Sequence, residues 1–400
     1  MRLKSVGIIA SVALVVTVLA GCSAPQQHSA SGPTGSSLPK PDKPITLHIL
    51  DVSGDLSTNK PMIENFVKAN PKLVGSVQFA SGSATDVVGK LQAQEAANRV
   101  DIDVILTGPL ALSQMAAQKQ LVKILPDYAS HVPNLNKILT PAARDFQTVA
   151  KGYGVVIQGA GWAGPIWAYS KKNVSNPPKS PQALLAWAKA HPGKFTYANP
   201  TTGSGPSNAF IDALPYMLGD KNPVDPTKGW SKTWEYLQEL SKYVVSYPSS
   251  GTSATFTGLA SGAYDLVPSE GGWDKLEHSS GVLNDNFGIY AFNNPILSSD
   301  GHFAVVPKGV PASHIGVDLA LASWLLKPEQ QAIGYGLSNV FPVQGVKLSM
   351  APSSAQSAYA AYAGSSLFKR LATAKTTLPL NGDNVQAMYD KWNQLIGSQK

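Results

Sequence analysis

The residues able to do chemistry in this chain gather in short polar loops rather than in a compact catalytic motif. Ser53-Gly54-Asp55, Ser81, Thr107-Gly108 and Thr202-Gly203-Ser204 combine hydroxyls with glycine-freed backbone. Such loops offer hydrogen bonds to a small ligand, above all where they feed a helix whose first N–H groups lack partners. Glu270 and Trp273 share the stretch Ser269-Glu270-Gly271-Gly272-Trp273. Trp162 and Trp167 share the apolar run from Val155 to Ser170. Each set also has a plainer reading. The loops could be helix caps and turns, Trp273 a half-buried ring on a surface turn, and the two tryptophans core filling.

Catalytic and cofactor signatures fail on inspection. Gly159-Ala160-Gly161-Trp162-Ala163-Gly164 fits the dinucleotide pattern G-x-G-x-x-G. Pro165 forbids the helix that must follow, and Trp162 stands where a phosphate would approach. There is no G-x-S-x-G, no H-E-x-x-H and no cysteine pair, and the seven histidines are scattered. The expectation is binding without chemistry, with no cofactor and no metal.

The elements that must carry these loops follow from periodicity. Ile45 to Leu50 reads as a buried strand. A helix capped by Ser57 or Thr58 runs to about Asn70, a strand covers Val74 to Phe79, Thr85 caps a second helix, and Asp101 to Leu106 is a third strand. This β-α-β-α-β order predicts a parallel sheet, whose ligands sit beyond the carboxyl ends of the strands. The glycine-broken run 155–170 cannot be a regular helix and reads as strand, bend, strand. It is expected to cross between two α/β lobes, with Trp162 and Trp167 near the cleft. In the second lobe, Ser180-Pro181 starts a helix and Lys194 to Ala198 is a strand before the Thr202 loop. Thr257 to Val267 is helix, turn at Gly262, and strand. Phe287 to Phe292 is expected to return the chain to the first lobe, where His302 to Val306 is a strand and the last hundred residues are rich in helix. The expected divisions are 45–155 with 289–400 as the first lobe and 156–288 as the second, each built on a mostly parallel sheet.

Composition sets the setting. Four hundred residues with 43% hydrophobic and 14% charged content suit two globular domains whose surface leans on uncharged polar groups. The formal charge of +7 is mild and unclustered, which excludes a nucleic-acid binder. Arg2 and Lys4 precede an apolar stretch, Val6 to Leu19, that ends in Leu19-Ala20-Gly21-Cys22. This resembles the bacterial lipobox, in which the cysteine is acylated and becomes the new N-terminus; a simple cleaved signal or an N-terminal membrane helix is the alternative. Ser23 to Pro44, about half Ser, Gly and Pro, reads as a flexible tether to the outer face of the membrane.

Taken together, this order resembles the extracellular solute-binding proteins of ABC importers. Lys179 to Trp187 followed by Pro192 to Pro200, Leu259 to Asp265, and Ala320 to Gln331 carry the likeness. It is nearest to the branch that handles polyamines, ferric iron and thiamine-like solutes. The resemblance implies a two-lobed, hinged α/β fold, a permease and ATPases as partners, and a monomer. Iron-binding members present adjacent tyrosines; Gly334-Tyr335-Gly336 has one. Polyamine binders use aromatic walls and carboxylates, since an alkylammonium gains cation–π and charge-assisted contacts together. Asp55, Trp162, Trp167, Glu270 and Trp273 stand at matching places, with Asp300 and His302 where such a binder places an acid. A sugar would suit the tryptophans and hydroxyls. A glycan hydrolase would need two carboxylates facing each other across the cleft.

Overall fold

The computed structural model describes residues 38–399 apart from 84–85, 274–276, 279, 336–340 and 364, with the backbone alone at 160–162, 358–359 and 361–363. Cys22, most of the tether, the Thr85 cap and the Trp162 side chain therefore lie outside the described residues. The tether's end is not free: Leu38 packs against the first core.

β1 (Ile45–Asp51), α1 (Leu56–Ala69), β2 (Val74–Ser81), α2 (Val87–Ala96), β3 (Val104–Thr107) and α3 (Pro109–Ala117) form the expected alternating unit. Two short helices, α4 (Leu135–Ile138) and α5 (Pro141–Gln147), lead to β4 (Gly154–Gly164). Gly164-Pro165 then separates β4 from β5 (Ile166–Ser170), as the glycine-broken run predicts. α6 (Pro181–Ala190) begins at Ser180, whose Oγ accepts the Ala183 N–H at 3.1 Å. α7 (Gly205–Leu218), α8 (Ser231–Ser241), α9 (Thr252–Ala260), β6 (Leu266–Ser269) and β7 (Phe287–Tyr290) complete the second lobe. β8 (Ile296–Val305) returns, followed by α10 (Ala312–Leu325), α11 (Pro328–Gln331), α12 (Ser353–Ala363), α13 (Ser366–Leu371), β9 (Lys375–Thr377) and α14 (Gly382–Leu395). No helix of the described residues is long and apolar enough to cross a membrane.

Among the described residues, a six-stranded sheet runs β2-β1-β3-β8-β4, with β9 paired to β8. β1 is parallel to β2 and β3, while β8 is antiparallel to β3 and β4. Leu47, Ile49, Val104, Ile105, Val155 and Phe303 are buried in its core. The second lobe departs from expectation. Its three strands, β6-β5-β7, pair antiparallel. Residues 194–198 form no strand: a lone parallel bridge joins Phe195 to Leu266, and Thr196 turns its Oγ1 to the Ser246 carbonyl at 2.6 Å.

Three other expectations are corrected. β7 does not return to the first sheet; it pairs with β5, and the return is made by β8. The last helix, α14, packs on the second core, where Trp392 Nε1 donates to Tyr197 Oη at 3.0 Å. Trp167 is fully buried away from the cleft, because its position on β5 faces Phe210 at 5.3 Å and Phe292 at 4.8 Å between ring centroids.

Candidate functional site

The loop after β1 is organised by one carboxylate. Asp51 accepts the N–H groups of Ser53 and Asp55 at 3.0 Å and of Leu56 at 2.9 Å. It supplies the partners that α1 needs at its start, so neither Ser57 nor Thr58 acts as the cap. The turn places Ser53 Oγ 2.6 Å from the Gly108 N–H and thereby locks the loops after β1 and β3 together. It also buries Asp55 completely, with Oδ1 2.7 Å from Nδ1 of His302 on β8.

These loops face the start of α7 across a cavity of about 430 Å³. Ser53, Gly108 and His302 line it from the first lobe, and Thr202, Gly203 and Glu270 from the second. These are the sequence-predicted residues that the fold brings together. Gly54 and Ser81 are exposed to the side, Thr107 is buried beneath the loop, and Ser204 bonds inward to Ser207 and Thr252. Trp273 does not line the cavity; it stacks on Phe256 and hydrogen-bonds Glu270. Sequence reasoning missed Asn208, Asp212 and Tyr389, all lining residues, while Asp300, noted there beside His302, lines the cavity with it. Asn208 and Asp212 lie a helical turn apart on α7, whose polar face was hidden in an apolar-looking segment; the i, i+4 spacing was the available signal. A neighbouring hollow of about 490 Å³ shares Pro109, Pro379 and Leu380, but Lys151 is the one charge among its lining residues.

Electrostatics in the cavity are unusual. Burial pushes the Glu270 carboxyl up to about 8, helped by Asp300 and opposed by His302 and Trp273. Burial also pushes Asp212 up to about 7, against a hydrogen bond from the Leu380 backbone. For His302, burial disfavours the charged ring, but Asp55, with Asp300 and Asp51 behind it, outweighs that and pushes the imidazole up to about 10. Burial raises Asp55 too, with His302 pulling the other way. The pair therefore holds its proton with the ring facing the cavity.

Hydrogen-bond accounting points the same way. Asn208 Oδ1, Asp212 Oδ1 and Glu270 Oε2 are buried and unpartnered; the amide oxygen is an acceptor, and the two carboxyls become acceptors at every oxygen only when they give up their protons. Buried acceptors without donors cost about 1–3 kcal/mol each, so this wall is built for something that brings N–H or O–H groups. Glycine makes room for it. A Cβ at Gly205 would collide with the Glu270 carboxylate, and one at Gly164 would lie 3.1 Å from Glu270 Cβ and 3.3 Å from Ala209 Cβ. Among the described residues, the set that could hold a metal ion is empty.

The model of the family described as bacterial extracellular solute-binding protein matches residues 61–363. Protein YnjB of Escherichia coli (strain K12) is 25% identical over 310 residues, which span 72% of this chain and 73% of YnjB. Among solved structures, the spermidine/putrescine ABC transporter substrate-binding protein PotD from Streptococcus pneumoniae aligns with a TM-score of 0.62 at 14% identity, over 89% of this chain and 99% of PotD. A periplasmic thiamin binding protein aligns with a TM-score of 0.60 at 15% identity, over 90% of this chain and 99% of that one. At these identities the solved structures establish the shared two-lobed fold.

Proposed function

The chain belongs to the bacterial extracellular solute-binding protein family, and from that premise we propose that it is the capture subunit of an ABC importer, taking a small organic cation into the cleft between its lobes. One observation carries this reading: the unpartnered acceptors of Asn208, Asp212 and Glu270 share one cavity with Asp300. A cation would supply the donors these groups lack and favour ionisation of the two raised carboxyls. Release of the solute to a permease would follow from lobe opening, with no bond made or broken. Acylation at Cys22 would hold the protein on the outer face of the membrane, a reading that rests on the lipobox alone. The solutes that PotD and the thiamin binding protein are named for are both organic cations, which agrees with the acids in this cleft. Tyr389 is the one Phe, Tyr or Trp among the described lining residues, so the acids rather than aromatic walls carry the cation reading, and a sugar platform of stacked rings has one ring to build on.

A thermal-shift panel of polyamines, thiamine and its phosphates, sugars and amino acids tests the proposal. A ligand at a hundred times its Kd stabilises by about 2.7 kcal/mol. A shift confined to amine- or thiazolium-bearing compounds is expected; a shift with sugars alone would overturn the cation reading.

A further inference from the structure

The two walls of the cleft differ in polarity, and the difference narrows the solute class. The second lobe presents acceptors: Asn208, Asp212 and Glu270, each with a buried unpartnered oxygen. The first lobe presents donors. His302 Nδ1 is engaged by Asp55 at 2.7 Å, which leaves Nε2 on the cavity side beside Gly108. Among the described residues no partner meets that Nε2. Ser53 Oγ accepts the Gly108 N–H, so its own hydrogen is free to point into the cavity. Leu110 and Ala111 also line the cavity from the first turn of α3, where amides have no carbonyl within the helix to bond. Asp300, on β8 with His302, also lines the cavity, its Oδ1 accepting the Gly301 N–H at 2.8 Å.

We propose that the solute is dipolar. Its anionic group meets His302 Nε2, Ser53 and the first turn of α3, while its ammonium meets Asp212, Glu270 and Asn208. This rests on the organic-cation reading and refines it to an amino-acid-like zwitterion. A simple diamine would set its second ammonium against the imidazolium that Asp55 holds in place, which is a like-charge contact in a partly dry site. A dipolar molecule instead satisfies both walls, and each end engages a different lobe. Closure then requires both charges on one solute, and neither a lone cation nor a lone anion bridges the lobes equally well.

Matched probes of equal length separate the alternatives. Isothermal titration of the purified full chain would compare 5-aminopentanoate, 1,5-diaminopentane and pentanoate. The amino acid is expected to bind at least tenfold more tightly than either of the others. In His302→Gln that preference should be lost or reversed. The wild-type comparison stands even if that variant fails to fold. A second wild-type readout is the His302 Nε2 resonance by nitrogen NMR, which should move with 5-aminopentanoate and not with the diamine. Equal or tighter binding of the diamine would overturn the dipolar inference while leaving the cation reading intact. Binding of pentanoate alone, or of neither amine at millimolar concentration, would remove the cation reading and the inference with it.

Discussion

Replacing Glu270 by glutamine takes one titrating group out of the cleft at nearly constant volume. In the folded protein burial pushes this carboxyl from 4.5 up to about 8. Between those two pH values the folded state keeps a proton that the unfolded chain has released. A raised carboxyl therefore contributes its stability at low pH and loses it as pH rises through the window, by about 1.4 kcal/mol per unit. The loss accumulates to on the order of 5 kcal/mol and levels off above the folded value. Glu270→Gln abolishes the slope, and its unpartnered amide gives back about 1–3 kcal/mol. The ligand-free variant should then exceed wild type at pH 8 by about 2–4 kcal/mol, a rise of roughly 3–6 °C in Tm for a unit of this size. At pH 4 the order should reverse or vanish. The assay is thermal unfolding of both proteins without ligand from pH 4 to pH 9. Parallel curves across that range would refute the reasoning, since they would mean that Glu270 carries no extra proton in the fold. The same variant should bind a cationic solute more weakly, so stability and capture should move in opposite directions.

Other outcomes follow from the same geometry. Capture of a cation should strengthen with pH, on the order of fifty-fold from pH 6 to pH 8 from Glu270 alone, as titration calorimetry in buffers of different ionisation enthalpy would show through proton release. Gly205→Ala, whose Cβ would collide with the Glu270 carboxylate, should weaken binding by tenfold or more while costing about 1–3 kcal/mol in denaturant unfolding. Trp167→Ala should cost about 3–5 kcal/mol in denaturant unfolding, since the ring is fully buried among Phe195, Phe210 and Phe292. Asp318 is buried with both carboxyl oxygens unpartnered, and burial, with Asp103 adding, pushes it well up. Asp318→Asn should therefore raise stability at pH 8 relative to pH 5, as thermal unfolding at the two values would show.

Local sequence carried much of this protein because its signals are short-range. The alternation in Ile45 to Asp51, the Ser180-Pro181 start, the glycine break at 164 and the turn at Gly262 each express a backbone preference that neighbours several residues away do not override. The loops at the strand ends were legible for the same reason, and Ser53, Gly108, Thr202, Gly203, Glu270 and His302 do meet in one cavity. Tertiary structure decided the rest. Trp167 could have faced a cleft or a core; the face of β5 covered by Phe210 and Phe292 settled it, and a strand's period cannot say which face is covered. Residues 194–198 had the composition of a strand, but their pairing to β6 stops at a single bridge, Phe195 to Leu266. Asn208 and Asp212 became cleft residues, and α14 joined the second core, because segments distant in sequence closed around them. The charge states of Glu270 and His302 belong to the fold in the same way. Burial and the nearness of Asp55 and Asp300 set them, and neither exists in the extended chain.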